Sequence, residues 1–347
     1  MNITASDPKG QRDGTLLSLQ AGRGIAAFAV VLHHAGQASD AFTSGAWGWL
    51  FEWGYLGVDF FFVLSGFIIF HAHGADRRDW QAASRFIKKR LRRIFVPYLP
   101  VALTMIAAYA LLPGLSQADR DWGWFTTLTL LPSGQPPALS VAWTLVFEMC
   151  FYLVFLLSFY LGILLPVAVV WSVATVLVWA LGLGGSLVAP IADYLLHPLV
   201  LEFLLGMAAA WAFGRMPPAQ GRVWLSLGAV GVLIFALWPD LHRVGFGLAL
   251  VPLVLGLALI EKARPIRVPA MLVQLGAASY ALYLVHNPLM SLVARAIGPM
   301  DSWTLSFVLC CLSAVLAGLA YHYFYERPVL RLFSQTAPSP QSKERSC

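Results

Sequence analysis

Ten apolar segments follow one another along this chain, at 22–40, 54–73, 94–112, 140–160, 163–182, 195–213, 223–239, 244–260, 271–294 and 303–325. Most reach the roughly 17 to 25 residues that a helix needs to cross a hydrocarbon core about 30 Å thick. Lipid offers no partner to an unpaired backbone group, so such a chain is expected to be an all-α integral membrane protein with about ten transmembrane helices. Ten spans put both termini on one side, and the basic residues test that count. Of the 23 lysines and arginines, only Arg120, Arg243 and Arg295 fall on the side opposite the termini. The other 20 lie with the termini, eight of them in the 74–93 connection, and this asymmetry predicts cytoplasmic termini. A miscount of one span would scramble it.

Composition excludes the common alternatives. With 59% hydrophobic and 12% charged residues and a mean hydropathy of +0.72, the chain is far from a soluble globular domain. The net charge of +6 follows from the basic cytoplasmic connections and suits anionic lipid heads, with nothing that suggests nucleic acid. Cys150, Cys310 and Cys311 fall within apolar segments and Cys347 ends the chain, so no metal-like spacing is present and no metal is expected. Residues 1–15 read as a polar cytoplasmic tail without the apolar core of a signal peptide, which leaves targeting to an uncleaved first helix. Residues 16–330 form the membrane domain, and 331–347 read as a disordered cytoplasmic tail.

Polar groups inside the segments carry the functional information. Arg23 and His34 stand eleven residues apart, which is about three helical turns plus 20°, so they share a face and lie about 16 Å apart along the axis. With Arg23 at a membrane surface, His34 is near the midplane, where a titratable group is costly unless it is used. His33 points about 100° away from it. Asp59 lies near the outer end of the second segment, where a watery vestibule is the ordinary alternative to a functional role. Ser65-Gly66 near its middle suits either close helix packing or the approach of a thioester or acyl chain. Arg90 and Arg93, one turn apart, run into apolar sequence and suit either phosphate or lipid headgroups. Glu148 lies about two turns into the fourth segment, as a functional carboxylate or half of an ion pair. Ser279, Tyr283 and His286 form one stripe at i, i+4 and i+7, read as a path lining or as interhelical hydrogen bonds.

Together these residues resemble the membrane-bound acyltransferase family 3, the bacterial surface and exopolysaccharide O-acyltransferases. The resemblance runs from Ser18 to Pro328. It is carried by RGIAAFAVVLHH with Arg23 and His34, GVDFFFVLSGFII, the Arg90/Arg93 pair before IFVPY, AWTLVFEMCFY, SYALYLVH and the closing YERP. It implies transfer of an acyl group, acetyl first among them, from cytoplasmic acyl-CoA to a sugar hydroxyl. The acceptor would be a surface polysaccharide or its lipid-linked precursor, at the inner membrane of a bacterium. Acyl-CoA would be a cosubstrate, with no permanently bound cofactor. In that scheme His34 is the general base or, by another route, a transient acyl carrier, and Glu148 orients His34 or the acceptor. Arg23, Arg90, Arg93, Ser65 and Gly66 would serve the donor, and Asp59, Trp143, Ser279, Tyr283 and His286 would line or support the acceptor path. His33 departs from the family pattern, where this position is commonly apolar. Some relatives also carry a fused SGNH-type domain, and its absence here implies direct transfer to a glycan or use of a separate partner. A transporter or flippase of a glycan or acyl group is the competing class: it explains His34, Asp59 and Glu148, though not the ordered motifs.

Overall fold

The structure, a computed structural model, describes residues 16–111, 121–184, 190–238 and 243–335. The expected tail 1–15, Arg120 and the end of the C-terminal tail from 336 lie outside the described residues. The described chain is helical throughout. In order it forms α1 (Leu17–Phe42), a 3-10 helix (Gly48–Leu56), α2 (Gly57–His73), α3 (Trp80–Leu111), α4 (Trp124–Thr129), α5 (Trp143–Tyr160) and α6 (Leu164–Ala180). Then come α7 (Pro190–Leu195), α8 (Leu199–Arg215), α9 (Gly221–Leu237), α10 (Arg243–Ala263), α11 (Ala270–Ala277), α12 (Ser279–Ile297), α13 (Trp303–Tyr321) and α14 (Arg327–Gln335).

Among the described residues, six helical stretches are long and apolar enough to cross a membrane: Gly48–His73, Trp80–Leu111, Ser140–Tyr160, Pro218–Leu237, Arg243–Ala263 and Trp303–Phe333. Leu164–Ala180 is a shorter apolar helix. The remaining long helices, α1, α8 and α12, carry the polar residues that the sequence singles out or that the site below uses. The outward faces are those of a lipid-facing bundle, with Val169, Val173 and Leu177 on α6 and Val223, Leu227 and Val230 on α9 all exposed.

Two segments depart from the expected spans. The ninth, 271–294, is two helices, because the chain bends at Ala278 (φ −85°, ψ −1°) before α12 starts. The last apolar helix passes through a π-helical turn, His322–Glu326, into α14. Residues 331–335, expected to belong to the disordered tail, are therefore helical. Arg92 holds them: its guanidinium lies 5.4 Å from the Phe333 ring centre and its Nη1 donates to the Phe333 carbonyl at 3.3 Å.

α1 packs between the Gly48–Leu56 helix and α2 on one side and α11, α12 and α13 on the other. Its approach to α11 requires glycine, since a Cβ on Gly276 would overlap the Gln20 carbonyl oxygen. α3 is anchored through carbonyls. Pro100 has no N–H to offer Val96, whose oxygen instead accepts from Tyr325 OH at 3.3 Å. Nearby, Ile94 O accepts from Tyr280 OH at 3.0 Å and Pro97 O from Tyr321 OH at 2.7 Å. These contacts fix α3 against α12, α13 and the turn before α14.

Candidate active site

α1 and α12 meet at two imidazoles. His34 Nδ1 lies 3.0 Å from the Val30 carbonyl oxygen, and His286 Nδ1 lies 3.0 Å from that of Leu282. A carbonyl can only accept, so each neutral ring carries its proton on Nδ1 and a lone pair on Nε2. His286 Nε2 then faces His34 Nδ1 at 3.4 Å and accepts a second, longer share of that proton. The relay leaves His34 Nε2 as the basic atom. The ring centres are 5.0 Å apart, edge to face, and His286 is fully buried. This is the arrangement of a base held by its other nitrogen, with a neutral acceptor ready for the imidazolium that forms when it takes a proton.

The rest of the stripe on α12 serves two other partners. Ser279 Oγ accepts from Arg23 Nη2 at 3.0 Å. Tyr283 OH donates to Val141 O at 2.8 Å and lies 2.7 Å from Thr144 Oγ1, while Asn287 Nδ2 donates to Ser140 Oγ at 2.6 Å. The stripe thus pins α12 to the start of α5 and to α1. Trp143 opens that start, edge-on to Phe147 at 5.8 Å.

Glu148 belongs to the Arg23 level of the bundle. Its Oε1 accepts from Ser65 Oγ at 3.0 Å and from Tyr152 OH, and its charge acts on Arg23. The expectation that it orients His34 is not met in the geometry: His286 has that place. Arg90 and Arg93 separate as well. Arg90 is buried between the rings of Phe86 and Tyr152, at 5.7 and 5.6 Å, and its Nε has no partner. Arg93 is exposed and lines a cavity of about 640 Å³ together with Gln274, His322, Glu326, Arg327 and Arg331. With Gln274, Ala277 on α11 lines it too, just before Ser279, the partner of Arg23. Gly66 plays no part in it, because α8 covers it and a Cβ there would overlap the Phe203 carbonyl oxygen. Its role is helix packing, reciprocated by Gly206 against Val63.

Asp59 is fully buried and makes a bidentate pair with Arg243, Nε to Oδ1 at 2.7 Å and Nη2 to Oδ2 at 2.8 Å. This accounts for one of the three arginines on the sparse side of the charge census. The Arg243 guanidinium also sits 5.1 Å from the Tyr55 ring, and Tyr55 meets His33 at 6.0 Å. His33 faces this group and touches the His34 ring edge-on at 5.0 Å, and its Nδ1 is unpartnered. Glu202 on α8 is fully buried beside Asp59 and Arg243. Sequence reading passed over it, although a carboxylate in LVLEFLLG meets the same test that singled out Glu148. It passed over the buried His322–Glu326 pair too (2.7 Å), whose i, i+4 spacing was visible. Thr144 and Arg327 lay inside the quoted AWTLVFEMCFY and YERP motifs but were not singled out.

Residues 16–323 match the family model described as an acyltransferase domain, Acyl_transf_3. The chain is 33% identical over 320 residues to the exopolysaccharide production protein ExoZ of Rhizobium meliloti (strain 1021), covering 87% of this chain and 95% of that protein. It is also 35% identical over 88 residues to protein 2 in the picA locus of Rhizobium radiobacter, which is 25% of this chain and 41% of that one. No solved structure gives a significant match. With the family model spanning nearly all of the helical bundle, the chain belongs to acyltransferase family 3 and is an acyltransferase.

Proposed function

We propose that the protein is an O-acyltransferase of a bacterial inner membrane, with ten spans and cytoplasmic termini. It moves an acyl group, acetyl by preference, from cytoplasmic acyl-CoA to a hydroxyl of an exopolysaccharide or its lipid-linked precursor. The observation that carries this reading is His34, held through Nδ1 so that its Nε2 lone pair is presented about two-thirds of the way along α1. Likeness to ExoZ supports the acceptor class, and the basic residues gathered on the side of the termini support the orientation.

In this reading the donor enters at the cavity beside Arg93 and its thioester reaches past Arg23 toward His34. His34 Nε2 takes the proton of the acceptor hydroxyl as that oxygen attacks the thioester carbonyl carbon. The carbon–sulfur bond then breaks, and the imidazolium returns its proton to the departing thiolate. No net proton is gained or lost. The growing charge on His34 is met by His286 Nε2 and the Val30 carbonyl. Arg90 and Glu148, which share Tyr152 as a neighbour, would hold the donor arm.

The test is the surface polysaccharide of a strain lacking the gene, examined by NMR. Acetyl signals should disappear, return with the wild-type chain and stay absent with His34→Ala that inserts at the normal level. Full acetylation in the His34→Ala strain would refute the mechanism.

A further inference from the structure

Three arginines from two distant parts of the chain face one cavity. Arg93 enters from α3, and Arg327 and Arg331 enter from α14. Lysines and arginines that only set topology need face nothing, and like charges gathered around one space repel unless something anionic lies between them. The walls here are fixed nonetheless. Arg92 clamps Phe333, Tyr325 OH binds Val96 O and Tyr321 OH binds Pro97 O, so α14 is held in place against α3. The one carboxylate in the lining, Glu326, is engaged locally by His322, whose Nδ1 lies 2.7 Å from its Oε2. Both project from the π-helical turn His322–Glu326, a rare backbone form that is frequent at functional sites. The volume of about 640 Å³ is that of a small-molecule site.

We propose that Arg327 and Arg331 form, with Arg93, the site for the phosphate groups of the acyl donor, so that α14 is part of the donor site. The inference rests on the acyl-CoA reading above and adds two residues to it. A coenzyme A molecule carries a ribose phosphate as well as a diphosphate, and forked guanidinium donors arriving from two walls suit that divided charge. The buried Arg90 is left to the uncharged arm of the donor. An anionic lipid headgroup has the same chemistry and is the rival occupant.

The experiment measures binding of coenzyme A and of 3′-dephospho-coenzyme A to the purified full chain in neutral-lipid nanodiscs. The variants are Arg327→Gln, Arg331→Gln, both together, and Arg327→Lys. Each single Gln variant should weaken coenzyme A binding about tenfold, the loss of one charge-assisted contact, with Arg327→Lys in between. At least one of them should lose discrimination against the dephospho form. Unchanged thermal unfolding of the variants would exclude a general loss of structure. Wild-type affinity and salt dependence in the double variant would overturn the proposal while leaving the acyl-CoA reading intact. Wild-type protein that binds no coenzyme A would overturn both. If the double variant loses only co-purified anionic lipid and keeps its coenzyme A affinity, the cavity is a lipid site and the proposal fails.

Discussion

Replacing His286 by Phe removes the acceptor behind His34 while keeping a buried ring in its place. The wild-type contact is long, 3.4 Å from His286 Nε2 to His34 Nδ1, and Val30 O still holds the same proton at 3.0 Å. Ring orientation should therefore survive, and the loss falls on the transition state, where His34 becomes an imidazolium. A hydrogen bond to a charged group contributes about 1.5–3 kcal/mol, which corresponds to a fall in kcat of roughly 10- to 150-fold. Removing the base itself with His34→Ala should cost more, about 10²- to 10⁴-fold. The assay is release of coenzyme A thiol by purified enzyme with acetyl-CoA and acceptor glycan. The expected pattern is a reduced kcat with an unchanged KM for acetyl-CoA, partly restored in His286→Gln, whose amide oxygen can accept. An unchanged kcat in a folded His286→Phe protein would refute the relay.

Ser279→Ala removes the oxygen that receives Arg23 Nη2; KM for acetyl-CoA should rise severalfold in steady-state kinetics, with kcat little changed. If Arg23 is only structural, thermal stability will fall instead and KM will stay. Asp59→Asn breaks a bidentate pair whose carboxylate is fully buried. About 3 kcal/mol of stability should be lost, the lower part of the usual range because Arg243 is partly exposed. A double-mutant cycle with Arg243→Gln, followed by unfolding in detergent, should give a clear coupling energy, and a value near zero would remove the pair from the stability account. Gly66→Ala forces α2 from α8 and should cost about 1–3 kcal/mol without altering KM for the donor; a change confined to that KM would return Gly66 to the donor site.

Periodicity and charge made much of this molecule legible before any coordinates. The apolar segments recur as helices, and the order of motifs from Arg23 to Pro328 pointed to the family. Eleven-residue spacing placed Arg23 and His34 on one face of α1, and i, i+4, i+7 spacing gathered Ser279, Tyr283 and His286 on one face of α12. What spacing cannot give is which faces meet. Glu148 was expected beside His34 or the acceptor and His286 along the acceptor path, and only the packing of α12 against α1 brings His286 to His34. Arg90 and Arg93 share a turn, yet a three-residue step leaves them about 60° apart around the axis, enough at the edge of a buried face to bury one and expose the other. Arg243 read as an outlier in the charge census because its partner, Asp59, is 184 residues away in sequence. The bend at Ala278 lies in Gly276-Ala277-Ala278-Ser279, where the glycine inside an apolar segment was the available warning.

Acyl transfer by the reconstituted chain tests the central claim most directly. Purified protein in vesicles, supplied with acetyl-CoA carrying a labelled acetyl group and with the exopolysaccharide or its lipid-linked precursor, is assayed for label on the glycan and for free thiol. The expected result is one thiol released per acetyl group bound to the glycan in wild type, and neither in His34→Ala. Movement of glycan across the vesicle membrane without thiol release, or equal labelling by both proteins, would contradict an acyltransferase working through His34.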